Sequence, residues 1–187
     1  MLFAVWDLET TDLLKPDAKI IEFHAALWDL DTRTKVEEFH TYIDPKRSIA
    51  PSAERVHGIS LASLAGKPVF RDVMGPIQAI FGRAMFRVAH NGDGFDVPFL
   101  DMELRNAGVP ECDVPNFDTM LLGRWAKPDG SVPNLGALAF ACDVPYDTSK
   151  AHAADYDDEV LAQCFFRGLD FGFFTLAGIV EGHAAAA

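Results

Sequence analysis

The chain has 187 residues, of which 49% are hydrophobic, and its formal net charge is −12. This length and composition predict one globular domain, 1–187, with a substantial core, and they exclude a membrane-spanning helix, since no apolar run reaches the roughly 18 residues that a span needs. The acidic balance argues against a long surface that grips duplex nucleic acid, because such surfaces use Lys and Arg to neutralise phosphates. The start, MLFAVWDLETT, lacks the basic region and cleavage site of a signal peptide, so we expect a cytoplasmic protein.

Strands are predicted where short apolar runs are bounded by polar turns. The first run ends in an acid, which places that acid at the carboxyl end of a buried strand. The polar turn at 30–34 separates the next two runs, so the first three strands can form an antiparallel meander. The predicted strands are 2–7, 19–29, 35–43 and 85–89.

Helices are predicted mainly in the second half of the chain. Two short helical turns are expected in PSAERVHGIS and LASLAG. The helix predicted at 97–107 is expected to end at Gly108, because glycine commonly follows the last turn of a helix. Asp118 and Thr119, at a strand-to-helix junction, are assigned to capping. The predicted longer helices are 71–81, 97–107, 119–125, 134–141 and about 153–167. Strands followed by helices in this order predict α/β layers, with helices packed on a mixed sheet.

The segment DLETT carries the first pair of chemically interesting side chains. Asp7 and Glu9 are two residues apart, so on a regular strand both leave the same face. Mg²⁺ prefers oxygen ligands and is usually held by one or two carboxylates plus substrate phosphate. An isolated pair of this kind is more often an ordinary solvated strand end, so its interpretation as a metal cradle depends on the other motifs.

The segment HNGDGFDVPFL places Asp96 in the first turn of a predicted helix, directly after a buried strand. An acid at this position commonly caps the helix or interacts with its dipole. It is also suitably placed to join Asp7 and Glu9 in a metal site. Asp93 is a rival ligand in the same segment, and Asp96 is favoured because it keeps the pair with Phe95 and the register of the helix.

The segment HAADYDDEV offers His152 five residues before Asp157. On a continuous helix this offset turns the side chains about 140° apart, so they cannot share one face. We therefore expect His152 in the loop before the helix and Asp157 within it, converging on one site. Asp155 and Asp158 are close enough to be alternative ligands.

Together these motifs resemble those of the DEDDh 3′-to-5′ exonucleases, a DnaQ-like family of the ribonuclease H-like superfamily. The resemblance covers roughly residues 1–170 and implies a catalytic core of that extent with a helical C-terminal tail. It also implies the ribonuclease H-like fold, a mixed central sheet flanked by helices. The spacing between Asn91 and Phe95 is one residue longer than is commonest in the family. The matched positions are Asp7, Glu9, His90, Asn91, Phe95, Asp96, Phe99, Leu100, His152 and Asp157.

The resemblance implies a site for two Mg²⁺ or Mn²⁺ ions. Asp7 would bridge the ions, Glu9 and Asp157 would serve the ion that binds the attacking water, and Asp96 would serve the other. His152 would take the proton of the water, a role that suits a side chain with a pKa of about 6.5. The residues expected to contact substrate are Leu8, Thr10, His57, Ile59, Asn91 and Phe99.

The expected reaction is hydrolysis of the last phosphodiester bond at the 3′ end of single-stranded nucleic acid, releasing a nucleoside 5′-monophosphate. DNA is the expected substrate and short RNA the alternative. A polymerase or another replication or repair protein is an expected partner, and no membrane is. Two other hypotheses are a catalytically idle interaction module of the same fold and a metal-dependent phosphohydrolase of another fold.

Overall fold

The computed structural model describes residues 1–151 and 154–177. Within them, one mixed five-stranded sheet has the order β3-β2-β1-β4-β5. Strand β1 lies at its centre, antiparallel to β2 and parallel to β4. The strands are β1 (Leu2–Thr10), β2 (Ile20–Asp29), β3 (Thr34–Tyr42), β4 (Arg87–Ala89) and β5 (Asn116–Asp118).

The predicted antiparallel meander of the first three strands is confirmed. Strand β1 is longer than predicted, because its pairing with β2 continues past Asp7 to a register shift between Glu9 and Thr10. Strand β4 is shorter than the predicted run and begins at Arg87. Strand β5 was given no bounds from the sequence, although Asp118 and Thr119 were placed at a strand-to-helix junction. It has three residues, two of them polar, and it exists through parallel pairing with β4.

Helices surround this sheet and largely follow the predicted apolar spacing. The first predicted turn is α1, and a 3₁₀ turn at Leu61–Leu64 follows it. The helix predicted at 119–125 is instead a short α-helix followed by a 3₁₀ turn at Arg124–Ala126. The helices are α1 (Pro51–His57), α2 (Phe70–Phe81), α3 (Asp96–Ala107), α4 (Thr119–Leu122), α5 (Leu135–Ala141) and α6 (Ala154–Asp170).

The core consists of two layers, one on each face of the sheet. Along β1, Trp6 and Leu8 belong to the cluster that contains α2 and α3, whereas Phe3 and Val5 belong to the cluster that contains α5 and α6. This alternation follows from the two-residue period of a strand. It assigns the odd-numbered positions of β1 to the side covered by α6.

Two further sequence predictions concern the fold class and the C-terminal tail. The α/β class with helices on a mixed sheet is confirmed. The tail predicted to be helical leaves α6 at Asp170 through a turn in which Gly172 has φ 72°, and its remainder, 178–187, lies outside the described residues. No helix in the described part of the chain is long and apolar enough to cross a membrane.

Candidate active site

Asp7 and Glu9 lie at the carboxyl end of β1, on the side of the sheet that α6 covers. They share this face with Phe3 and Val5, as the strand period requires, whereas Leu8 between them is 2% exposed and faces the opposite layer. Both acids remain half-buried. The strand therefore presents two carboxylates at the edge of the core without burying them fully.

A cleft of about 850 Å³ opens at this end of β1. It brings together carboxylates from β1, α3 and α6, which are far apart in the sequence. Of the five predicted catalytic residues, the four acids line the cleft, and His152 lies outside the described residues. The lining includes Asp7, Leu8, Glu9, Val56, Asn91, Phe95, Asp96, Leu135, Phe140, Tyr146, Asp157 and Asp158.

The HNGDGFD loop positions Asp96 through a tight turn. Asn91 has φ 73°, and its carbonyl accepts a hydrogen bond from the backbone N–H of Phe95 at 3.0 Å. A Cβ at Gly94 would lie 2.7 Å from Asn91 Oδ1, so a larger residue there would require the Asn91 side chain to move. The additional residue between Asn91 and Phe95 is accommodated in this turn, and α3 begins at Asp96.

Asp96 and Asp93 end in different environments. Asp96 is 2% exposed and lines the cleft, and its Oδ1 has no hydrogen-bond partner among the described residues. Asp93 is exposed and accepts a hydrogen bond from Asn116 Nδ2 at 2.8 Å. Its backbone N–H donates to Asp118 Oδ2 at 3.1 Å. This placement favours Asp96 over Asp93 as the site residue.

Asp118 caps α4 and also holds the loop. Its Oδ1 accepts hydrogen bonds from the backbone N–H groups of Met120 at 2.9 Å, Leu121 at 3.1 Å and Asn91 at 3.2 Å. The predicted capping role is therefore confirmed. Thr119, beside it, donates from its hydroxyl to the carbonyl of Ala89 at 3.0 Å.

Helix α6 brings two adjacent acids to the site in different ways. Asp157 is half-buried and accepts a hydrogen bond from Tyr146 Oη at 3.4 Å. Asp158 is 1% exposed, and its Oδ2 lies 2.5 Å from His24 Nδ1. Asp155 is exposed. Among the three acids considered from the sequence, Asp157 and Asp158 reach the cleft.

The carboxylates of the cleft carry strongly perturbed proton affinities. Burial, followed by repulsion from Asp96 and Glu9, raises the pKa of Asp7 well above its ordinary value. Burial, followed by the charges of Glu22 and Asp96, raises the pKa of Glu9 to about 8. Burial also raises the pKa of Asp96 well above its ordinary value, with Asp158 adding repulsion. The site therefore accumulates negative charge that is costly at neutral pH.

No Lys or Arg is among the described residues that line the cleft, so no cationic side chain there compensates these acids. Hard divalent cations such as Mg²⁺ take carboxylate oxygens as ligands, and a bound cation would lower the cost of holding the acids ionised. The donor set and the orphaned Oδ1 of Asp96 thus fit a divalent cation. In the described arrangement, however, no three His, Cys, Asp or Glu side chains are grouped tightly enough to hold a metal ion. The ligand set stays a prediction.

The predicted substrate contacts divide into two groups. Leu8 and Asn91 line the cleft. Thr10 is 4% exposed and donates from its hydroxyl to the carbonyl of Asp12 at 2.7 Å, and Phe99 is 0% exposed. Ile59 packs against a small apolar cluster, and His57 Nδ1 accepts a hydrogen bond from the backbone N–H of Ile59 at 3.0 Å. Thr10, His57, Ile59 and Phe99 are not among the residues that line the cleft.

Other cleft residues were not among the predicted substrate contacts. Val56, on α1, lines the cleft, whereas His57 and Ile59, which were predicted to contact substrate, do not. Phe95 also lines the cleft, whereas Phe99, whose ring centroid lies 4.9 Å from that of Phe95, does not. Phe140 and Tyr146 come from α5 and the loop after it. Phe95 carried a sequence signal through the Phe95–Asp96 pair, whereas Val56, Phe140 and Tyr146 did not, because their positions depend on how α1, α5 and the loop after α5 pack.

Sequence comparisons agree with this geometry. A family model described as exonuclease, RNase_T, matches residues 4–165. The DNA polymerase III ε subunit of Salmonella typhimurium is 32% identical over 174 residues, covering 86% of this chain and 68% of that protein. A PolC-type DNA polymerase III of Ureaplasma parvum is 31% identical over 163 residues, covering 87% of this chain. The chain spans 11% of the length of that PolC relative.

Solved structures share the fold at lower identity. Exonuclease X in complex with 5′ overhanging duplex DNA has a TM-score of 0.73 and 24% identity, and the match covers 96% of this chain and 98% of that one. E. coli Exonuclease I in complex with a dT13 oligonucleotide has a TM-score of 0.74 and 17% identity, and the match covers 89% and 40% of the two chains. The expected ribonuclease H-like fold is thereby confirmed. The chain belongs to the RNase_T exonuclease family, the DnaQ-like 3′-to-5′ exonucleases.

Proposed function

We propose that this protein is a metal-dependent 3′-to-5′ exonuclease that hydrolyses the terminal phosphodiester bond of single-stranded DNA and releases nucleoside 5′-monophosphates. The observation that carries the proposal is the convergence of Asp7, Glu9, Asp96 and Asp157 in one cleft whose described lining contains no Lys or Arg. These acids come from three separate elements, and their membership in one site has no evident structural purpose. Buried like charges are costly, so a site that retains them needs a compensating ligand.

Two Mg²⁺ or Mn²⁺ ions are the proposed cofactors, with Asp7, Glu9, Asp96 and Asp157 as their protein ligands. When bound, such ions make water a better nucleophile and stabilise the charge that develops on the phosphate. The protein's own part is to hold the four carboxylates on rigid elements. Strand β1 is paired on both sides, and Asp96 starts a helix whose first turn is fixed by the preceding loop.

His152 is the proposed general base, and it lies outside the described residues. Tyr146, which donates to Asp157, is the described side chain that orients a proposed ligand. Burial and the charge of Asp157 raise the pKa of Tyr146 to about 12, so the phenol stays protonated and keeps donating at neutral pH. We therefore assign Tyr146 a positioning role.

The terminal nucleotide is proposed to contact Leu8, Asn91 and the apolar lining near Phe95. Contacts of this kind are tolerant of base identity because every base has an apolar face. DNA is preferred over RNA as the proposed substrate because relatives of this chain are a DNA polymerase and a subunit of one. The same relatives make a polymerase or another replication or repair protein the proposed partner, and a cytoplasmic location is part of this proposal.

The test is a time course on matched 5′-labelled single-stranded DNA and RNA oligomers with Mg²⁺ or Mn²⁺, with EDTA and the His152→Ala protein as controls. We expect a ladder that shortens from the 3′ end on DNA, abolished by EDTA and greatly slowed without His152. Faster shortening of the RNA oligomer than of the DNA oligomer would identify the protein as an exoribonuclease. No ladder on either substrate, in a folded protein that binds the metal, would overturn it.

A further inference from the structure

Phe140 is exposed to an unusual degree for a large apolar side chain. It is 89% exposed, although its neighbours Leu138 and Ala139 on α5 are 0% exposed and pack into the core. Single exposed apolar residues are common on protein surfaces and need no explanation by themselves. Phe140 differs because it lines the cleft that contains the proposed ligands Asp7 and Asp157.

The charge of the cleft limits how a nucleic acid strand can bind there. Protein affinity for nucleic acid usually rests on Lys and Arg that neutralise phosphates. The described cleft lining offers neither, and the protein as a whole has 28 Asp and Glu against 16 Lys and Arg. Part of the affinity in the cleft must therefore come from contacts that do not depend on side-chain cations.

The remaining lining supplies such contacts. Val56, which is 55% exposed, and Leu135 join Phe140 as apolar groups in the cleft. An aromatic ring presented to solvent beside a strand-binding site can cover the flat face of a nucleobase, and this stacking is sequence-tolerant. The face of a base inside a duplex is already covered by its neighbours, so the same ring gains most from an unpaired strand.

We propose that Phe140 is a stacking platform for an unpaired base near the 3′ end of the substrate, and that it contributes to selection of single-stranded ends. This inference rests on the proposed exonuclease function. Phe140 holds the strand and takes no part in bond cleavage. Its loss therefore weakens binding and leaves the chemical step intact.

The first test compares Phe140→Ala with Phe140→Trp on a single-stranded DNA oligomer. Removing one stacked base contact is expected to raise KM about tenfold or more with kcat little changed, and the larger ring of the Trp variant is expected to retain a KM near wild type. Phe171→Ala is the matched control, because Phe171 is 47% exposed and lies outside the described cleft lining. Equal KM values for the Ala variant and wild type would overturn the proposal.

The second test separates stacking from a general effect on the fold. Binding of 5′-fluorescent oligomers with one abasic position among the last four nucleotides is measured by anisotropy in Ca²⁺, for wild type and Phe140→Ala. One abasic position should weaken binding to wild type about tenfold and have little further effect in the variant. Additive losses at every position would overturn the platform. If the effects of the abasic position and of Phe140→Ala are coupled but wild type cleaves no substrate, the stacking platform is retained and the nuclease function is rejected. If wild type cleaves substrate but the two effects are not coupled, the nuclease function is retained and the platform is rejected.

Discussion

His24 and Asp158 form a buried pair that joins the central sheet to α6, with Nδ1 and Oδ2 2.5 Å apart and both side chains 2% exposed. His24 is the cross-strand partner of Asp7, and Asp158 follows Asp157 in the sequence. The pair therefore connects β2, at the position paired with the proposed ligand Asp7, to α6, which carries the proposed ligand Asp157. Asp158 itself lines the cleft, although it is not one of the proposed ligands.

Breaking this pair is expected to destabilise the protein strongly. His24→Ala leaves Asp158 buried without its partner, and such a change costs about 3–5 kcal/mol of unfolding free energy. The double variant His24→Ala, Asp158→Ala should lose less than the sum of the two single losses, as urea denaturation can measure. Arg33→Ala is the control, since the Arg33–Asp170 pair at 2.5 Å is 48% and 37% exposed and solvent screening should make its loss far less costly. A His24→Ala loss no larger than that of Arg33→Ala would contradict the prediction.

The two acids of the HNGDGFD loop should differ sharply in their effect on activity. Asp96→Asn is expected to reduce kcat at least about 100-fold, the scale on which loss of one electrostatic contribution to a transition state acts. Asp93→Asn should retain activity within about twofold, because Asp93 is exposed and bonded to Asn116 outside the cleft. Initial rates on a labelled DNA oligomer, with melting curves of both variants, provide the comparison. Equal losses would show that Asp93 belongs to the site.

The metal-free protein should become less stable as the pH rises from about 4 to about 8. The pKa of Asp158 is about 6 and that of Glu9 about 8, both above their ordinary values, so the folded state binds more protons than the unfolded state over this range. Proton linkage then makes stability fall with rising pH. In EDTA, the melting temperature should be higher at pH 5.5 than at pH 8, and Mn²⁺ should raise it most at pH 8. A melting temperature in EDTA that increases toward pH 8 would be inconsistent with raised pKa values for Glu9 and Asp158.

Asp118→Ala should affect both stability and activity, although Asp118 is not a proposed ligand. Its carboxylate accepts four backbone hydrogen bonds, two that cap α4 and two that hold Asn91 and Asp93 in the loop before Asp96. Loss of a cap alone costs about 1 kcal/mol, so we expect about 2 kcal/mol or more. Ser60→Ala, which removes only the cap contact to Ser63 N–H, is the control. The two variants can be compared by thermal denaturation, and a loss for Asp118→Ala equal to that for Ser60→Ala would reject the role in the loop.

Features that depend on local pattern could be predicted from the sequence, and features that depend on distant packing could not. The meander β1–β3 and helices α2 and α3 follow periodicities that lie within single segments. The His24–Asp158 contact joins residues 134 positions apart, and nothing local to either residue indicates it. Phe140 reaches the cleft only through the docking of α5, and an exposed Phe in an alanine-rich helix carries no signal of its own.

The choice between Asp96 and Asp93 shows an intermediate case. The sequence identified the segment and the Phe95–Asp96 pair, and it left Asp93 as a rival because the loop has one additional residue. The structure accommodates that residue in the turn at Asn91, where φ is 73° and the carbonyl accepts a hydrogen bond from the backbone N–H of Phe95. Such a turn depends on the bonds to Asp118, more than 20 residues away, so local pattern could not predict it.

The proposed 3′-to-5′ exonuclease activity of the carboxylate cleft can be tested by identifying the first product released from a 3′-labelled single-stranded DNA oligomer under single-turnover conditions with Mn²⁺. Wild type is expected to release the labelled nucleoside 5′-monophosphate before any longer fragment. The Asp7→Ala protein should release none while melting at or above the wild-type temperature, because the substitution removes a half-buried acid that its partial burial and the charges of Asp96 and Glu9 disfavour in the ionised form. Internal fragments as the first product, or equal release by Asp7→Ala, would contradict assignment of the carboxylate cleft to 3′-to-5′ exonuclease chemistry.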